Sequence, residues 1–271
     1  MRYASVAGQF YPGTETALRK EVSDCFFHRL GPGRIPELKI GGQRRIRGMV
    51  APHAGLIYSG PVAAHGYAAL AEDGFPEVFV ILGPNHHGLG SGVAITTHDF
   101  ETPMGVMKND KELATAIRKG IVDDSLIAHR HEHSIEVQLP FLQFFSKDCK
   151  FVPISMMMQD HKSAIQVGQV IREAIDGRDA VVIASTDFSH YISPEAAREN
   201  DMMAIDQILK LNPKGLYDTV RKNRITMCGF GPVMAMLEAV GGTEAELLRY
   251  ANSGDVQPMA EVVGYASIVV R

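Results

Sequence analysis

The chain has 271 residues, 45% of them apolar and 21% charged, enough apolar material for a large buried core. Its net charge of −4 gives no basis for nucleic-acid binding, and no run of about eighteen apolar residues marks a membrane span. Three widely spaced cysteines (Cys25, Cys149, Cys228) imply no disulfide framework, and no leader-like apolar stretch follows Met1, so a cytoplasmic location is expected.

In chain order, Ala7-Gly8-Gln9-Phe10-Tyr11-Pro12-Gly13 reads as a turn-rich opening, and Thr14 as the N-cap of a helix over 15–28. Loops at 31–36 and 41–47 lead into a short apolar strand at 47–51, which ends in Pro52-His53-Ala54-Gly55. An Ala-rich helix is expected over 62–70, with His65 as a packing residue. The run at 78–82 reads as a fully buried strand, stopped by Gly83-Pro84 and followed at once by Asn85-His86-His87. A strand at 92–96, a turn at 102–105 and a helix over 111–118 capped by Asp110 come next.

The stretch from His129 to Glu136 is dense in titratable groups. Ile135, Leu139 and Leu142 recur at helical spacing, so Ser134 is expected to cap a helix there. His129 and His131 read as ordinary turn residues, and His133, beside the helix start, as the site candidate. Pro153 argues for an edge or bulged strand at 151–155, and Met156-Met157-Met158 reads as core packing. Helices are expected over 163–175, 194–211 and 213–222, with a buried strand at 180–185 that runs into Thr186-Asp187-Phe188-Ser189-His190. Pro232 suits the first turn of a helix to Val240, and strands at 247–250 and 265–270 close the chain.

Three of these strands thus deliver His or Asp at their C-terminal ends, the edge where open α/β sheets bind ligands. The alternation of strands and helices predicts one domain over 1–271, a three-layer α/β/α fold with a central mixed or largely parallel sheet. His53, His86 and Cys228 would supply two imidazole nitrogens and a sulfur to a metal while leaving coordination positions open. Cys228 sits in a Gly-rich turn before a helix, where the helix dipole is expected to favour thiolate. Asp187 and His190, three residues apart, are expected to face the same side and either to orient each other or to act as general acid and base, with His133 close behind the pocket.

The ordered motifs Pro52-His53-Ala54-Gly55, Gly83-Pro84-Asn85-His86-His87, Glu132-His133-Ser134-Ile135-Glu136, Ser185-Thr186-Asp187-Phe188-Ser189-His190 and Cys228-Gly229 resemble those of the Memo (mediator of ErbB2-driven cell motility) family, also called the MEMO1 family. The opening 7–12 and the turn at 102–105 fit as well, so the resemblance spans nearly the whole chain. It implies a fold similar to class III extradiol dioxygenases, with His53 and His86 in the two His ligand positions. Cys228 then stands where those enzymes carry a carboxylate, and His133, His190 and Asp187 match acid–base groups around the metal. By the same resemblance the cofactor is Fe(II) or Cu, with Zn as an alternative. Animal relatives are described as phosphotyrosine-peptide binders and metal-linked redox proteins, and microbial relatives stand beside AMMECR1-like and radical SAM proteins. Three functions follow as expectations: an iron or copper redox, dioxygenase-like protein, a module binding a small molecule or (phospho)peptide, and a zinc-type hydrolase.

Overall fold

Successive residues of the interior strands face opposite sides of one sheet, and this period-two alternation divides the core. The structure, a computed structural model, describes all 271 residues. Its first half comprises α1 (Glu15–Phe27), β1 (Gly48–Ala51), α2 (Leu56–Asp73), β2 (Val78–Pro84), β3 (Val93–Ile95), β4 (Phe100–Thr102), β5 (Gly105–Asn109), α3 (Lys111–Ile117), β6 (Asp123–Asp124) and α4 (Leu126–His129). The second half comprises α5 (Leu139–Phe145), β7 (Lys150–Met156), α6 (His161–Ile175), β8 (Ala180–Ser185), β9 (His190–Ile192), α7 (Pro194–Leu209), α8 (Pro213–Asn223), α9 (Phe230–Val240), β10 (Ala245–Asn252), α10 (Ser253–Val256) and β11 (Val262–Val270).

The sheet runs β10-β11-β1-β8-β2-β7-β3-β6, with β1, β8, β2 and β7 mutually parallel at its centre. Strand β11 is antiparallel to β1, and β3 is antiparallel to β7. Val78, Val80 and Leu82 of β2 pack on the face covered by α6 and α9, while Phe79 and Ile81 pack on the face covered by α1, α2 and α5. Each fully buried Val, Leu or Ile contributes about 1.5–3 kcal/mol, and the central strands β1, β8, β2 and β7 each supply residues to both layers. The result is a mixed, largely parallel sheet between two helical layers. No helix is long and apolar enough to cross a membrane.

Four local expectations are corrected. Pro153 lies in an interior strand, not an edge: β5 pairs with Lys150 and Phe151, β3 with Ile154 to Met156. The missing N–H of Pro153 therefore falls in the gap between two partners, where no ladder bond is lost. Met156 is core, but Met157 and Met158 are 39% and 43% exposed, because β7 ends at Met156. Ser134 caps nothing; its hydroxyl donates to Pro84 O at 3.0 Å, and α5 begins at Leu139 after one 3-10 turn. Helix α2 begins at Leu56, six residues early, and carries Pro61 inside it as the sixth helical residue, where one i→i−4 hydrogen bond is forgone.

Candidate metal centre

The parallel strands end on one edge, and three of them deliver polar groups there. Pro52-His53 follows β1, Asn85-His86 follows β2 and Thr186-Asp187 follows β8. The turn before α9 brings Cys228 alongside, with its Sγ 3.3 Å from His53 Nε2. Ligand atoms of His53, His86 and Cys228 all lie within 4.8 Å of one another. Donors bonded to one metal at about 2.0–2.3 Å stand about 3–4 Å apart, so the spacing suits a shared ion.

Hydrogen bonding fixes which nitrogen each histidine presents. Ser185 Oγ donates to Ser134 O at 2.7 Å and accepts from Gln138 Nε2 at 2.8 Å. Its single proton is thereby committed, so His53 Nδ1, 2.8 Å away, must be the donor. Gln138 is itself held by Tyr67 Oη (2.6 Å) and Pro52 O (2.9 Å). His86 Nδ1 donates to Glu132 Oε1 at 2.9 Å. Both rings therefore carry their proton on Nδ1 and present the Nε2 lone pair. Outer partners of this kind set the tautomer and orientation of metal-ligating histidines.

Glu132 is a site residue that spacing alone did not single out. It also accepts from the backbone N–H groups of His86 (2.6 Å) and Ser134 (2.9 Å). Burial alone would raise its carboxyl, but His86, His133 and these donors hold it well below the usual range. Its segment is fastened to the N-terminal stretch: Arg2 donates to His129 O, Glu132 O and the buried Glu136 carboxylate. Glu136 also accepts from Tyr11 Oη and from the N–H groups of Ser5 and Val6. The turn-rich opening thus braces the loop that carries Glu132 and His133.

His133 stacks on His86 with ring centroids 4.6 Å apart, and Phe10 packs against it at 4.5 Å. Burial pushes its imidazole down to about 4, despite Glu132, so it is a neutral base. Burial, with His133 and His86 adding to it, drives His53 well below its ordinary value. Burial would also lower His86, but the Glu132 hydrogen bond reverses this and the net shift is upward. Asp187 is pushed up to about 6 by burial, offset in part by the His53 N–H at 2.8 Å and by His190.

Two expectations fail here. Asp187 and His190 are not hydrogen-bonded to each other, because Asp187 turns inward to the His53 backbone. His190 enters β9, where Thr226 accepts from its Nδ1 (2.8 Å) and its backbone N–H (2.7 Å). Nor does the helix start lower the Cys228 thiol: burial and the Asp187 carboxylate push it up. A cation at the Nε2 pair would reverse that balance, since a coordinated thiol is deprotonated outright. The sulfur is already placed for this, accepting from Asp187 N–H at 3.2 Å. Gln159 anchors the turn, donating to Cys228 O and accepting from Gly231 N–H, both at 2.8 Å. A surface cavity of about 510 Å³ lined by Arg2, Tyr3, Arg130 and His131 shares the 129–136 segment but includes none of the three donors.

The family profile described as Memo-like protein matches residues 2–269. A MEMO1 family protein of Methanopyrus kandleri is 50% identical over 280 residues, covering 100% of this chain and 99% of that one. Another, of Methanothermobacter thermautotrophicus, is 47% identical over 277 residues, covering 99% of each chain. Among solved structures, an uncharacterized protein of Escherichia coli K12 is 13% identical with a TM-score of 0.58, over 84% of this chain and 100% of that one, a likeness of fold alone. Ordered motifs, full-length identity and profile agree, and the chain belongs to the Memo-like family.

Proposed function

We propose that the protein holds a single redox-capable iron or copper ion on His53 Nε2, His86 Nε2 and Cys228 Sγ, and binds a small molecule at the open side of that centre. One observation carries this reading: both imidazoles commit Nδ1–H elsewhere, to Ser185 and Glu132, and so turn their lone pairs toward the same sulfur. Such an ion, when bound, would supply electron transfer and activation of a bound molecule. A thiolate in place of a carboxylate makes the set softer, which favours copper or iron and weakens the case for catechol cleavage. His133, a neutral imidazole stacked on His86, is the group that would take a proton from a ligand at the mouth. Asp187 holds the His53 backbone by accepting its N–H at 2.8 Å.

The test is anaerobic equilibrium dialysis against Cu(I), Fe(II) and Zn(II), with metal analysis and an electronic spectrum. The expected result is about one ion per chain in the wild type and loss of that ion in His53→Ala and in Cys228→Ser. Full metal content in Cys228→Ser would overturn the ligand set. Preferential, colourless zinc binding would turn the reading toward a hydrolase that activates water.

A further inference from the structure

The cavity of about 510 Å³ is lined by the opening segment 1–5 and by Leu126, Arg130 and His131. Its size falls within the range of about 300–1,000 Å³ usual for small-molecule sites, and half of its lining residues are apolar. No Asp or Glu lines it. Four smaller cavities, of about 300–410 Å³, each have at least one on the wall: Asp73, Asp176, Asp206 and Glu246 respectively.

The two arginines on this wall differ in what is left of their charge. Arg2 is buried, and its guanidinium is committed to Glu136, Glu132 O and His129 O. Arg130 is exposed and joins none of the chain's ion pairs or side-chain hydrogen bonds. By contrast, two of the arginines around the cavity of about 390 Å³, Arg172 and Arg178, are paired with Glu238 and Glu112. His131, exposed beside Arg130 in sequence, also has no hydrogen-bond partner in the chain, and its ring stands 6.3 Å from that of His87. The same cavity carries apolar surface that the fold leaves uncovered, since Tyr3 is 70% exposed and Leu126 only half-buried. A free guanidinium fork matches a carboxylate through two parallel hydrogen bonds.

We infer that this cavity is a second binding site, for a small organic monocarboxylate whose acid group is held by Arg130 and His131 and whose aromatic or aliphatic body rests on Tyr3 and Leu126. A carboxylate is favoured over a phosphate because one free fork is available, whereas phosphate recognition draws on arginine clusters or on a helix start. None of His53, His86 and Cys228 lines the cavity, so the inference does not depend on the metal reading.

The experiment is calorimetry on the full chain with 2-naphthoate, its neutral isostere 2-naphthamide, and 2-naphthyl phosphate, on EDTA-treated and zinc-loaded protein. Naphthoate is expected to bind at least roughly tenfold tighter than the amide, because the amide cannot take both bonds of the charged fork. Arg130→Gln should weaken naphthoate at least roughly tenfold and leave the amide unchanged. Arg130→Lys, which keeps the charge and loses the fork, should fall between. Tyr3→Ser should weaken both ligands about three- to tenfold. Arg221→Gln, at an exposed arginine of α8, should alter neither, and zinc and Cys228→Ser should leave naphthoate affinity as it is. Equal binding of acid and amide, full affinity in Arg130→Gln, or no naphthoate binding at millimolar concentration overturns the inference. Tighter binding of the phosphate overturns the carboxylate assignment. Naphthoate binding that requires zinc and disappears in Cys228→Ser would put the acid on the metal, overturning this inference and sparing the metal reading. Protein that binds naphthoate through Arg130 but takes up no metal does the reverse.

Discussion

Glu132 grips His86 at two points: its Oε1 accepts from the ring Nδ1–H at 2.9 Å, and its Oε2 accepts from the backbone N–H of the same residue at 2.6 Å. One buried carboxylate therefore sets both the position of the loop after β2 and the direction of the Nε2 lone pair. In Glu132→Gln the amide group cannot accept, so one of the two grips is lost. Metal affinity should fall about 10–100-fold, the usual effect of removing a group that orients a ligand. Competition with a chromophoric chelator measures this, and an unchanged affinity would mean that Glu132 does not orient His86.

The Ser185 hydroxyl joins His53 Nδ1, Gln138 Nε2 and Ser134 O within a fully buried cluster. Ser185→Ala leaves these three groups with one partner fewer at a place water does not reach. A destabilisation of about 1–3 kcal/mol is expected in urea unfolding, because an unsatisfied buried polar group costs its full desolvation. Metal affinity should fall with it, since the His53 ring is freed to change tautomer. Stability and affinity both within error of wild type would rule out the hydroxyl as the fixing group.

The three strands ending at Ala51, Pro84 and Ser185 were legible because buried parallel strands are short apolar runs, and the polar residues that follow them stand out. Glu132 and Arg2 were not legible as site groups. Their roles depend on two loops far apart in sequence meeting in space, and neither residue breaks a local pattern. Pro153 misled for a related reason: β7 pairs with β2 along its whole length, but its other side is shared by β5 and β3, and the proline falls between those two partial partners. The thiol of Cys228 misled because burial and Asp187 outweigh the dipole of a helix that begins two residues later.

His129 is buried at 1% exposure at the end of α4, and burial, with Arg2 adding to it, pushes its imidazole down to about 3. The folded value lies below the unfolded one of about 6.5, so on acidification the unfolded chain takes up this proton first. The stability attached to the neutral ring is therefore complete above about pH 6.5 and is lost as pH falls toward 3. From pH 6.5 to 4.5 the loss from this group is about 2–3 kcal/mol. Replacing it, as in His129→Leu, should flatten the fall of unfolding free energy by that amount, whatever the variant's absolute stability. An identical slope in wild type and variant, measured in urea at several pH values, would contradict this.

Gly229 stands where the turn before α9 presses on the loop leaving β8. A Cβ there would come 2.5 Å from Ser185 O and 2.7 Å from Thr186 Cβ, and neither atom can swing aside as the end of a flexible side chain would. The turn is otherwise held by Gly229 N–H donating to Thr186 Oγ1 at 2.9 Å and by Cys228 Sγ accepting from Asp187 N–H at 3.2 Å. In Gly229→Ala the turn must back away, which draws the sulfur off His53 Nε2. Overpacking of this kind costs about 1–3 kcal/mol, so the variant should still fold. Its thiolate-to-cobalt absorption after Co(II) loading should be weakened or shifted, and metal affinity should fall at least roughly tenfold. Gly13→Ala, whose Cβ would meet nothing nearer than 3.7 Å, should match wild type in both measurements. If Gly229→Ala lost stability but kept the wild-type cobalt spectrum and affinity, the turn would matter to the fold alone, and Cys228 would not be a ligand whose position the turn sets.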